Sequence, residues 1–363
     1  MEEQMSEQPI LKSHRRPGIE TTIVPVRAVK FGDGSYPVIA GPIAVESEDQ
    51  ILSAARIVVD NGGSILRAGT FLAGSSPYGY RGLGPDSLWM LEHAGRETRL
   101  PVSTEVLEPD HVDLAATHVD VIEVGPDNMQ NFVLLRAVGQ AGRPVILHRA
   151  SAATIDEWLL AAEYILDAGN DELVLCERGS RGFDPRTSDT IDITAIPTVQ
   201  RMSHLPVIVD PSSAAGHPEL VRPLALAARS AGADGLVVPL HPDPANALAG
   251  NGSHLDPECF TTLMDALGIP SMRDEIDRID RQVIRLLSKR LRNSVDIGLI
   301  KAQRDLAMRS PDREAELIAE MREEAEDDGM DPDYAQELIE VVLRHSRAAQ
   351  RRALGRDEEP DVE

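Results

Sequence analysis

Arg290 and Lys301 bound the stretch "RLRNSVDIGLIK". They lie eleven residues apart, close to three turns, so one helical face carries both cations about 16 Å apart along its axis. Long side chains on such a pair can bracket a small dianion. Arg313-Glu314 opens a second helix-like segment, and Ser346 and Gln350 share a face of a third at i,i+4 spacing. For any one of these charges, a solvated helix face is the commoner meaning. As a set they offer cations and hydrogen-bond donors, and the ten histidines of the chain fall into no metal-ligand spacing. A second place for chemistry is "VIAGPIAVES", Val38 to Ser47, an apolar strand broken by Gly41-Pro42 and followed by a turn and a helix start. Ile43 and Ala44 then stand at a strand's C-terminal rim, where an α/β barrel keeps its active site. Neither can bind a metal, donate a proton or hold an anion.

The elements around these residues follow from periodicity. Eight short apolar runs, "YPVIAG", "GSILRAG", "LPVSTEV", "VDVIEVG", "RPVILHRA", "ELVLCERG", "LPVIVDP" and "DGLVVPLHP", alternate with segments of helical spacing that often end in Gly. No GxGxxG follows the first run, so eight βα units predict a closed (β/α)₈ TIM barrel over residues 36–267, after an extension at 1–35. Beyond Gly268 and Pro270 the chain reads as all α over 268–355, with a disordered tail at 356–363. Its first helix runs about 35 residues without Pro. Ile276, Ile279, Val283, Leu287, Val295 and Ile297 mark an apolar stripe too long to bury within a small domain, which predicts a two-fold dimer or a tetramer. Ser310-Pro311 and Asp331-Pro332 are expected to cap and start the two later helices.

Composition narrows the partners. Sixty acidic residues against 36 basic give a net charge of −24, which disfavours nucleic acid and anionic membranes. Two cysteines, Cys176 and Cys259, give no disulfide framework, and no apolar run reaches the roughly 18 residues of a membrane span, so a reducing cytoplasmic location is expected. A small anionic substrate must be held by a local cluster of cations.

Taken in order, "MRDEIDRIDRQVIRLLSKR", "IGLIKAQ", "RE" in "SPDREAELI" and "HSRAAQ" resemble the all-helical chorismate mutases, a family of intertwined dimers. The resemblance implies conversion of chorismate to prephenate, a unimolecular Claisen rearrangement that requires no cofactor, metal or nucleophile. It needs a dianion held in a reactive conformer, and donors where the breaking ether oxygen becomes negative. By resemblance, Arg290 and Arg273, the latter from a second copy, grip the two carboxylates. Lys301 and Gln350 face the ether oxygen, Arg313 and Glu314 order the substrate, and Ser346 lies alongside. Ser310 stands where the family often has Asp, which keeps a 4-amino-4-deoxychorismate substrate as an alternative, beside a non-catalytic sensor of chorismate-like ligands.

The barrel segments "AGPIAVES", "LRAGTF", "SSPY", "GPDNMQNF", "VILHRA", "LCERGSRGF", "VIVDPSS" and "HPDP" resemble the DAHP synthases, which condense phosphoenolpyruvate with erythrose 4-phosphate on a divalent metal. The resemblance implies four ligand positions, and these hold Ile43, Ser213, Pro239 and Gly250 here, a set without a competent donor group. Leu72, Gly74, Asp127 and His148 replace cations that the family uses for phosphate. Arg67, Arg149, Glu177, Arg178, Arg181, Asp210 and His241 remain at matching positions, where a rim salt-bridge network is the expectation. No metal is therefore expected. The leading expectation is a mutase carrying a catalytically inactive barrel as scaffold or regulator, with an active DAHP synthase as the alternative.

Overall fold

The computed structural model describes residues 11–15, 18, 21–72, 78–184, 189–250, 252–304, 306–307 and 310–355. The chain divides into two units, Met1–Arg273 and Asp274–Glu363.

In the first unit eight parallel strands close a barrel in sequence order, and the eighth returns to pair with the first through Leu236 and Val38. The strands are Val38–Gly41, Ile65–Arg67, Val102–Glu105, Val121–Val124, Val145–His148, Leu173–Glu177, Val207–Val209 and Leu236–Pro239, one in each of the eight apolar runs. Period-two alternation decides what each residue meets. Val38, Leu66, Ile122, Leu147 and Val238 join the layer packed under the helices. Ile39, Ile65, Val121, Ile146, Val174, Ile208 and Val237 fill the interior with the two-stranded ribbon Val24–Val26 and Val29–Phe31, whose Val24, Val26 and Phe31 are buried there. Two residues further along several strands, the same alternation sets polar groups: Arg67 follows Ile65, Glu123 follows Val121, and His148 follows Ile146. The C-terminal mouth is thus polar while the floor is apolar.

Helices between strands begin at capped ends. The Ser47 hydroxyl accepts from the Gln50 amide, Thr154 and Glu157 form a reciprocal capping box, and Asp256 accepts from the Cys259 amide. Trp158 is fully buried and its indole N–H donates to the Leu147 carbonyl at 3.2 Å, tying a helix to the fifth strand. The ribbon at 24–31 falls in the expected extension; its strands are three residues each and turn through Arg27 at φ 51°.

Among the described residues the second unit holds three helices. The first, Met272–Gln303, begins at the unit boundary, and Pro311–Asp327 and Pro332–Ala353 follow. Asp331 caps the third through the Asp333 amide, as expected. Ser310 occupies the N-cap position of the second, but its hydroxyl makes no cap bond at φ −130°, ψ 91°, which corrects the expectation of a side-chain cap there. Among the described residues no helix is long and apolar enough to cross a membrane.

Candidate functional site

In the helical unit, the first and third helices bring three of the expected residues together. Arg290 donates from Nη1 to Ser346 Oγ at 2.8 Å, and that hydroxyl donates to the Val342 carbonyl one turn earlier at 2.8 Å. One turn later, Gln350 Nε2 donates to the carbonyl and hydroxyl of Ser294, at 2.7 and 3.0 Å. Gly298 makes that approach feasible, since a Cβ there would lie 2.8 Å from Gln350 Cγ. A cavity of about 390 Å³ opens beside the pair, lined by Lys289, Arg290, Asn293, Ser294, Ile297 and Ser346 among others.

The remaining expected residues are placed differently. Lys301 lies in the last turn of the first helix. Glu314 pairs with Arg347 at 3.0 Å, whereas Arg313 is exposed and pairs along its own helix with Glu316 at 2.9 Å and Glu320 at 3.6 Å. Ser310 is exposed, and the Arg273 side chain lies outside the described residues. Ser294 and Arg347 were not anticipated. Ser294 sits one turn after Arg290, and Arg347 follows Ser346 directly, but neither has a spacing that separates it from an ordinary surface residue.

At the barrel mouth, Glu123 is fully buried and both carboxylate oxygens are engaged. Arg67 donates to them at 3.3 and 3.0 Å, Ser103 Oγ at 2.7 Å, and His148 Nε2 lies at 3.1 Å. Burial alone would raise the Glu123 pKa, but Arg67 and the His148 and Ser103 hydrogen bonds outweigh it and hold the group well below the usual carboxylate range. Arg149 pairs with Glu177 at 2.7 Å, and Glu177 also accepts from the Gly179 amide at 2.7 Å. Arg178 donates to Ser213 Oγ, and that hydroxyl bonds Asp210 at 3.2 Å. The retained charged residues Arg67, Arg149, Glu177, Arg178 and Asp210 are thus each paired at the rim, in three separate groups. Arg181 is exposed and its backbone N–H bonds the Ser151 carbonyl at 2.9 Å, so among the described residues the expected rim pairing does not extend to its side chain.

The ligand positions of the metal-dependent enzymes do not fit a divalent cation. A Cβ on Gly250 would lie 2.2 Å from Ile43 Cδ1, so the isoleucine side chain fills the space that a carboxylate at position 250 would enter. Ser213 is held by Arg178 and Asp210, and Pro239 offers no side-chain donor atom. Among the described residues no three His, Cys, Asp or Glu side chains gather in a metal-binding cluster. His254, unforeseen, accepts the Ile43 N–H on Nε2 at 3.1 Å, and His241 lies 3.5 Å from Glu46. Leu72 and His148 line a cavity of about 260 Å³ with Ile43, Arg67, Glu105, Arg178 and Asp210. Asp127 is exposed and Gly74 lies outside the described residues.

Comparison with known proteins agrees with both units. The model of the DAHP synthetase I family matches residues 15–269, and that of chorismate mutase type II matches 272–351. A phospho-2-dehydro-3-deoxyheptonate aldolase from Thermotoga maritima is 40% identical over 257 residues, covering 69% of this chain and 76% of that protein. A crystal structure of the DAHP synthase of that organism superposes with a TM-score of 0.70 at 38% identity, over 72% of this chain and 76% of the other. A 2-dehydro-3-deoxyphosphooctonate aldolase from Acidithiobacillus ferrooxidans is 31% identical over 232 residues, 58% of this chain and 80% of that one.

Proposed function

For a chain that belongs to the DAHP synthetase I family and carries a chorismate mutase type II domain, we propose that the helical unit isomerises chorismate to prephenate. The observation that carries this reading is the Arg290–Ser346 contact at 2.8 Å, with Gln350 held one turn away on Ser294, beside a cavity of about 390 Å³. Arg290 holds one substrate carboxylate, and Arg273 of a second copy holds the other. Lys301 supplies a donor to the ether oxygen as the C–O bond breaks and negative charge grows there, and Gln350 supplies a second once one of its amide hydrogens leaves Ser294. Glu314, fixed by Arg347, is positioned for the ring hydroxyl. No proton needs to move, so the contribution of the site is a folded conformer and stabilisation of that oxygen. A mutase assay of the whole chain beside Lys301→Ala tests this. The variant is expected to lose at least ~10²-fold in kcat/KM, the range for removing one oxyanion donor. Equal activity in the two proteins defeats the assignment. Ser310, whose hydroxyl does not cap its helix, keeps 4-amino-4-deoxychorismate as a competing substrate, and the ratio of kcat/KM for the two compounds decides between them.

For the barrel, two readings compete. The family match and the 40% identical aldolase favour condensation of phosphoenolpyruvate with erythrose 4-phosphate over an inert barrel. The side chains favour the opposite, because Ile43 occupies the space facing Gly250 and two of the other positions are taken by a hydrogen-bonded serine and a proline. We adopt the second reading: this barrel does not carry out metal-dependent condensation. Phosphoenolpyruvate consumption with erythrose 4-phosphate and added Mn²⁺ is expected to stay at background. Turnover above background overturns this reading.

A further inference from the structure

We propose that the barrel mouth binds a small apolar α-amino acid as its zwitterion. The inference rests on the reading that this barrel does not condense phosphorylated substrates. The cavity carries charge of both signs, with Arg67 and Arg178 on one hand and Glu105 and Asp210 on the other. Glu123 adds a third carboxylate behind Arg67, at 3.0 Å. Three carboxylates against two guanidiniums, with His148 the only further cationic candidate among the described lining residues, make a poor site for a phosphate dianion. The same balance suits a ligand with one charge of each sign.

The lining groups are unequally engaged. Arg67 is spent largely on Glu123, and Asp210 accepts from the Ser212 amide and the Ser213 hydroxyl. The Glu105 carboxyl forms no hydrogen bond or ion pair among the described residues. It rests on Gly125, where a Cβ would come within 1.9 Å of Oε1, so the glycine is what leaves the carboxyl room. Burial raises the Glu105 pKa even though His148, Arg67 and Arg178 each act to lower it; an ammonium group brought into the cavity would supply the missing compensation. Arg178, held at its Nε and Nη2 by Ser213, is placed to take the carboxylate end. Two further lining residues, His148 and Ser212, are more than nine-tenths buried and retain a buried polar atom without a partner, Nδ1 and Oγ respectively. Ile43, Leu72, Pro126 and Pro239 complete the lining with an apolar surface for a short side chain, in a volume of about 260 Å³.

Calorimetric titration of the full chain with L-alanine, 2-aminobutyrate, valine, leucine and isoleucine, and with the 2-hydroxy acid corresponding to each, tests the inference without any variant. One amino acid is expected to bind saturably, and its hydroxy acid at least ~10-fold more weakly, because only the ammonium compensates Glu105. Glu105→Gln and Gly125→Ala are each expected to weaken that amino acid at least ~10-fold while leaving mutase turnover unchanged. The first removes the charge. The second displaces the carboxyl at a backbone φ of −69° that alanine adopts freely, and so carries the test if the first disturbs folding. No binding by any of the five amino acids, equal binding of the hydroxy acid, or unchanged affinity in both variants overturns the inference. Condensation of phosphoenolpyruvate would instead defeat the reading of the barrel on which it rests, in an assay that involves no amino acid.

Discussion

His254 shows how a single side chain is fitted against Ile43. Its Nε2 accepts the Ile43 amide, which places the ring proton on Nδ1, and Nδ1 is buried without a partner. Protonating Nε2 would break the bond and bury a charge. Burial first, then His241 and Arg67, push the His254 pKa down to about 4. Glu46 is the carboxylate facing this pair, 3.5 Å from His241. The sign of the pH effect follows: the unfolded histidine takes its proton near pH 6.5 and the folded one only near 4, so stability falls as pH drops through that window. The full loss is about 3 kcal/mol. Melting temperature measured from pH 7.5 to 4 should decline in the wild type and flatten between pH 6.5 and 4 in His254→Asn, whose amide oxygen can still accept the Ile43 N–H. An unchanged slope in the variant removes His254 as the cause. Ile43 was legible in the sequence as an apolar residue at a rim position. His254 was not, because it lies 211 positions away and its role depends on closing the barrel, which no local spacing records.

At the scale of elements, the eight strands were legible because each is a short β-branched run, buried on both faces as parallel strands are. The ribbon at 24–31 was not, since two three-residue strands, each with an exposed residue, give too little pattern to read. Pairing at the rim was expected from matching residues, but the pairing of Glu314 with Arg347 needed the helices to be packed. Gly41 connects strand geometry to the mouth. It ends the first strand at φ 151°, and a Cβ there would lie 2.0 Å from the Arg67 carbonyl oxygen. Gly41→Ala must therefore shift either the first strand or the second, the strand that carries Arg67 to Glu123. A loss of about 3 kcal/mol is expected from strain and clash together, read as a fall in melting temperature of roughly 6–12 °C. A change under ~2 °C would mean that the two strands separate more readily than the packing implies.

At the scale of the whole molecule, the long helix Met272–Gln303 presents apolar residues that its own unit leaves uncovered. Ile276, Ile279, Val283 and Leu286 are exposed at alternating steps of three and four, and the same progression continues through Arg290 and Asn293 to Ile297 and Ile300. Val283 is 44% exposed and Ile297 52%. This is the spacing of a seam made to pack against another helix, and it differs from the stripe read off the sequence, because Leu287 and Val295 turn out half-buried within the unit. Arg290 interrupts the seam at its middle, so a second copy laid along it would bring its own side chains beside the cation that holds Ser346. Association and catalysis should then fail together. Light scattering on the whole chain is expected to give at least the mass of two chains. Val283→Asp, which places a carboxylate in a seam whose side chains gain about 1.5–3 kcal/mol each on burial, is expected to give the mass of one. Because the second substrate carboxylate is assigned to Arg273 of the other copy, the same variant should lose at least ~10²-fold in mutase kcat/KM while its helical circular dichroism is kept. A single-chain mass for the wild type with full activity would show that the three helices complete the site alone, and would return the seam to the status of an exposed helix face.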